Sequence, residues 1–117
     1  MKIKFNGKEI SFDTILKYHK IGHKDNISVR NGILQINGNN VIQSDRYYIK
    51  IEIEGNCGDI NTNGSVTVTG NAGNIDTTGS VSVGNDCNNI DTTGNVTVYG
   101  NVKGNIDTVG RVTVKGK

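Results

Sequence analysis

From residue 51 onward the chain repeats itself. The units read IEIEGNCGDINTNGS (51–65), VTVTGNAGNIDTTGS (66–80), VSVGNDCNNIDTTGN (81–95) and VTVYGNVKGNIDTVGR (96–111), and a half unit, VTVKGK, follows. The period is 15 residues three times and then 16. A motif of that length cannot bury an apolar face by itself, so the copies must bury it against one another.

The columns of the repeat say how. One holds Ile51, Val66, Val81, Val96 and Val112, and two residues on stand Ile53, Val68, Val83, Val98 and Val114. Another holds Cys57, Ala72, Cys87 and Val102. A fourth holds Ile60, Ile75, Ile90 and Ile106, followed two residues later by Thr62, Thr77, Thr92 and Thr108. A spacing of two is the strand period, and β-branched residues fill it. Gly and Asn between these segments are incompatible with helix and read as turns or positions of positive φ. Stacking the units in register lays each Val on the Val one turn below. The expected fold is therefore all-β: a parallel β-solenoid, or β-helix, of about four coils of 15–16 residues. Two other arrangements fit the same pattern: an antiparallel meander, and three chains wound round one axis.

The first fifty residues lack the repeat and form the expected N-terminal capping unit (1–50), ahead of the solenoid (51–117). MKIKFNGKEISF reads as a hairpin turning at Asn6-Gly7. DTILKYHKIGHKD reads as a short helix with Asp13 as N-cap and Gly22 as C-cap. ISVRNGILQINGNNVI reads as strand segments turning at 31–32 and 38–39. The other end, VTVKGK, has no such cap. Each coil offers only about three aliphatic side chains, and cores that thin often need a second chain. Either Lys115 and Lys117 act as gatekeeping charges at this end or a second chain covers it; the thin core favours the second, which makes Val112, Val114 and Lys115 the expected oligomer interface.

Charge is unevenly placed. Residues 1–50 sum to +5, residues 51–102 to −6 and residues 103–117 to +3, for a net +2. Both ends are basic and the shaft acidic, which suits association with a charged surface. Asp76, Asp91 and Asp107 share one shaft column and are the candidate protein-binding face. They lack the double glycine of calcium-binding repeats, so hydrogen bonds to Thr and backbone are expected there and no metal. Scattered lysines with few aromatics do not make a nucleic-acid site, and no apolar run is long enough to span a membrane.

Candidate chemistry is sparse. Cys57 and Cys87 lie two coils apart, about 9–10 Å by strand spacing, beyond disulfide reach. They read as buried apolar fillers, in keeping with a reducing, cytoplasmic setting. His19 and His23 are four apart but lack a third ligand. No nucleophile–base pair or phosphate loop appears, so no enzyme and no cofactor is expected.

GSVTVTGNAGNIDTTGSVSVG resembles the G-x-V-x-V-x-G-[DN]-x-x-G-[DN]-I texture of bactofilins, the bacterial polymer-forming β-helix proteins. The resemblance covers about residues 51–117 and implies a non-enzymatic structural protein that self-associates through the ends of its rod. The basic N-terminal unit departs from the short disordered tail usual there, and favours a closed homo-oligomer over a filament. The Asn- and Lys-rich composition is also similar to small repeat proteins of phages. That implies two alternatives: a binding module or inhibitor that engages a host or phage protein with its acidic shaft, and a trimeric spike needle.

Overall fold

The structure, a computed structural model, describes residues 2–19, 24–44 and 49–116. The chain runs β1 (Lys2–Phe5), β2 (Lys8–Ile10), α1 (Phe12–Tyr18), β3 (Ile27–Arg30), β4 (Ile33–Ile36), β5 (Asn39–Gln43) and β6 (Lys50–Glu54). The coils then alternate short and longer strands: β7 (Ile60–Asn61), β8 (Ser65–Val68), β9 (Ile75–Asp76), β10 (Val81–Val83), β11 (Ile90–Asp91), β12 (Val96–Val98), β13 (Ile106–Asp107) and β14 (Val112–Val114).

Two seven-stranded sheets result, in the orders β14-β12-β10-β8-β6-β1-β2 and β13-β11-β9-β7-β3-β4-β5. Every coil-to-coil pairing is parallel and in register: Val66 sits on Val81, Val81 on Val96 and Val96 on Val112. The second sheet stacks Ile60, Ile75, Ile90 and Ile106 in the same way. This is the β-solenoid, with each coil closed within one chain, and the antiparallel meander is set aside. A third side carries the Cys57 column, where Cys87 and Val102 form a single parallel bridge.

Inward side chains of both sheets and the third side make one core, with Val66, Val68, Ile75, Val81, Val83, Ile90, Val96 and Val98 all buried. Thr62, Thr77 and Thr92 are buried beside them. The Thr92 hydroxyl donates to the Gly79 carbonyl at 2.5 Å, Thr108 donates to Gly94 at 2.6 Å, and Thr77 donates to Gly64 in the same way. At Thr77, Thr92 and Thr108 a hydroxyl can face inward because the turn of the coil below brings a carbonyl to meet it.

The first fifty residues extend both sheets. Hairpin β1–β2 lies antiparallel on β6, and the meander β3–β4–β5 continues the second sheet beyond β7. The turns are Asn-Gly pairs at positive φ: Asn6-Gly7, Asn31-Gly32 and Asn37-Gly38. The last falls one residue before the expected position, because Asn37 tolerates the left-handed conformation that Gly38 also adopts. The helix is capped by Ser11, whose side chain accepts the Thr14 N–H at 3.2 Å, and Asp13 lies inside the first turn. Ser11 holds the extended backbone that a cap requires, and His19 closes the helix. The expected C-cap, Gly22, lies outside the described residues.

The repeat glycines correct a second expectation. Among the described residues, positive φ is confined to Gly7, Gly32, Gly38, Gly55 and Gly116 among glycines, so most glycines of the coils do not need it. Close stacking requires them instead. A Cβ on Gly79 would sit 2.6 Å from the Gly64 carbonyl carbon, and one on Gly94 would sit 2.6 Å from that of Gly79.

Candidate functional site

The terminal coil is unlike those below it. Among the described residues no strand lies beyond β14 in one sheet or β13 in the other. Val112 and Val114 are each 45% exposed, whereas Val96 and Val98 in the same columns are at most 1% exposed. Val109 at the adjoining corner is 87% exposed. Lys115 is tied to this coil twice: its N–H donates to the Val98 carbonyl at 2.9 Å, and its Nζ lies 4.9 Å from the centre of the Tyr99 ring. The three residues singled out from the sequence thus share one edge.

The Asp column is also assembled as read. Asn61, Asp76, Asp91 and Asp107 lie in register on the outer face of the second sheet, and all four are exposed. Among the described residues, the hydrogen bonds expected for the three carboxylates do not form. Within the coils, carboxylates that accept are Asp59 and Asp86, on the third side.

That third side holds the feature the sequence reading missed. The N–H of Asn71 donates to the Asn56 side chain at 2.8 Å, Asp86 N–H to Asn71 at 3.0 Å, and Asn101 N–H to Asp86 at 2.8 Å. A parallel ladder runs from Asn26 to Asp59, Asn74, Asn89 and Asn105, with bonds of 2.8–3.1 Å. Each side-chain oxygen satisfies the backbone of the same column one coil on. Asn and Asp interchange because only an acceptor is needed. That interchange along a 15-residue period was the available signal.

Between the ladders lies a groove of about 690 Å³. Its floor is kept low by Gly58, Ala72, Gly73 and Cys87, and its ends carry Lys24 and Lys103. The Cys57 and Cys87 thiols are buried and unpaired, as expected. Burial pushes Cys57 up to about 12, with nearby Lys24 acting weakly in the opposite direction. Burial pushes Cys87 up to about 11, with the Asp86 charge adding to it. Thiolate is therefore scarce at neutral pH, which removes the species a nucleophile or metal ligand needs.

At the cap end of the groove Asp25 is 7% exposed. The His19 ring Nδ1 lies 2.9 Å from its Oδ1 and 3.0 Å from its Oδ2, and Asn37 Nδ2 donates to Oδ1 at 2.9 Å. Asn37 also donates to the Tyr18 carbonyl, and Gly58 N–H to the Asp25 carbonyl. The cluster pins the end of α1 to the first coil, so His19 serves as a strut. His23 lies outside the described residues. No group of three or more His, Cys, Asp or Glu placed to hold a metal occurs among the described residues. Among the described residues no helix is long and apolar enough to cross a membrane.

Comparison with protein-family models, with curated proteins and with solved structures finds no match to this chain.

Proposed function

We propose that this protein is a non-enzymatic structural or scaffold protein that self-associates through its terminal coil. The observation that carries this reading is the contrast between Val112 and Val114, half open to water, and the same columns buried in every coil beneath. A parallel strand edge with unpaired backbone groups and apolar side chains is a template for another strand. A second copy supplies one of the same width, with matching Val columns. Two such edges meeting about a two-fold axis give a closed dimer. This agrees with the bactofilin-like texture of the repeat.

The charges near this edge, Lys103, Arg111 and Lys115 against Asp107, repel their copies across such an interface, so added salt strengthens the association. The test is solution mass by light scattering over a range of concentrations. A dimer that Val112→Glu with Val114→Glu converts to a monomer supports the reading. A monomer at all concentrations and salt levels defeats it.

The in-register column of Asp76, Asp91 and Asp107 favours a second reading, a protein-binding face that meets a basic surface on a host or phage partner. Capture of a partner that is unaffected by Asp76→Lys with Asp91→Lys excludes that face.

A further inference from the structure

We propose that the groove on the third side binds a neutral, β-linked glycan chain laid along the solenoid axis. The groove is periodic, and that constrains its ligand. Coil by coil it presents Gly58 and Asp59, then Asn71 to Gly73, then Asp86 to Asn88, then Lys103. These steps are about 4.8 Å apart, the spacing of paired strands. A ligand that uses every coil must repeat at nearly that distance.

A β-1,4-linked pyranose chain is a straight ribbon that advances by about one coil spacing per sugar, with alternate rings turned over. An extended peptide advances roughly 3.3 Å per residue and falls out of step. A nucleic acid strand brings a phosphate per unit, which Asp59 and Asp86 in the walls repel.

The chemistry of the lining agrees. Among the described residues, neither Lys24 nor Lys103 forms an ion pair, and neither do Asp59 and Asp86. The two signs balance within the groove, so it is matched to a ligand without net charge. The Oδ1 of Asn71 is held by the Asp86 N–H, which fixes the amide and leaves its NH₂ group without a partner among the described residues. Asp59 and Asp86 each accept one backbone N–H through Oδ1 and keep the second oxygen for a ligand. Asn88 is exposed, and its side chain makes no hydrogen bond among the described residues. Amide donors beside carboxylate acceptors suit hydroxyl groups, which do both. The floor of Gly, Ala and Cys is flat enough for the C–H face of a sugar ring. With no aromatic ring in the lining, affinity rests on hydrogen bonds and is weak.

The test is a titration of the ¹⁵N-labelled protein with tetramers of β-1,4-linked glucose and of N-acetylglucosamine, followed by amide resonances. A single-stranded oligonucleotide and a polar, uncharged peptide are the controls. The expected result is a saturable shift of Gly58, Gly73 and the Asn71 and Asn88 side-chain amides with one of the tetramers, and none with the controls. Asn88→Ala weakens binding about tenfold, the worth of one or two net hydrogen bonds. Asn88→Leu, which fills the groove at an exposed position with a branched apolar side chain that neither hydrogen-bonds nor offers a ring for a sugar to stack on, abolishes it while the circular dichroism spectrum is unchanged. No shift with either tetramer overturns the proposal. So does a shift that persists in Asn88→Leu, or one produced equally by the oligonucleotide or the peptide. Val112 and Val114 do not line the groove, which shares only Lys103 with that end of the solenoid, so the Val112→Glu, Val114→Glu protein must still bind the tetramer.

Discussion

The backbone N–H of Asn71 donates to the side-chain oxygen of Asn56 one coil below, at 2.8 Å. The same bond recurs in the same column at Asp86 and Asn101, so one coil's side chain completes the next coil's backbone. Asn71→Ala removes an acceptor from the Asp86 N–H and is expected to cost about 1–2 kcal/mol in chemical denaturation. Asn71→Asp keeps the acceptor and is expected to cost much less. Equal losses from the two variants would mean that the ladder contributes nothing specific.

Glycine serves two different physical ends in this chain, and substitution separates them. Gly94→Ala places a methyl group 2.6 Å from backbone atoms of Gly79, which cannot move without unstacking the coil. The expected loss is about 3 kcal/mol or more, in the range of severe overpacking. Gly7 has φ +82° and open space around its Cα. Gly7→Ala therefore costs only the left-handed backbone penalty, roughly 1–2 kcal/mol. Thermal or urea unfolding of the pair measures the difference.

The buried threonines give a cleaner contrast. Thr92 donates its hydroxyl to Gly79, whereas the buried Thr62 hydroxyl has no hydrogen-bond partner among the described residues. Thr92→Val is expected to destabilise by about 1–2 kcal/mol, and Thr62→Val to be neutral or stabilising. Denaturation midpoints that fall equally in both variants would contradict this assignment.

The apolar architecture was legible because it is periodic. Val66, Val81 and Val96 announce their contacts by recurring at a constant interval, and in-register stacking is the arrangement that uses it. The Asn6-Gly7 and Asn31-Gly32 turns were legible for a local reason, since few residues tolerate that backbone. The Asn56–Asn71 ladder was written in the same periodicity but was masked by composition, because Gly-Asn also spells a turn. Asp25 with His19 and Asn37 was out of reach. Those residues stand 6 and 12 apart in an irregular stretch, and only the docking of α1 on the first coil brings them together.

Stability should fall at alkaline pH through the cysteines. Burial raises both thiols above their ordinary value of 9.0, Cys57 to about 12 and Cys87 to about 11. Below pH 9 the thiols are protonated in folded and unfolded chains alike, so the contribution is whole. Between pH 9 and about 12 the unfolded chain loses protons that the folded chain keeps, and stability declines. Cys57→Ala with Cys87→Ala, copying Ala72 in the same column, is expected to flatten that decline. A pH dependence unchanged by the double substitution would assign it to other groups.

Amide hydrogen exchange at the terminal coil bears most directly on self-association. In β14 the Lys115 N–H points back to Val98, so the alternating N–H groups of Val112 and Val114 face the open edge. If a second copy pairs with that edge, protection at Val112 and Val114 rises with protein concentration and disappears in Val112→Glu with Val114→Glu. Fast exchange of both amides at every concentration, in a protein that still protects Val96 and Val98, would contradict the account.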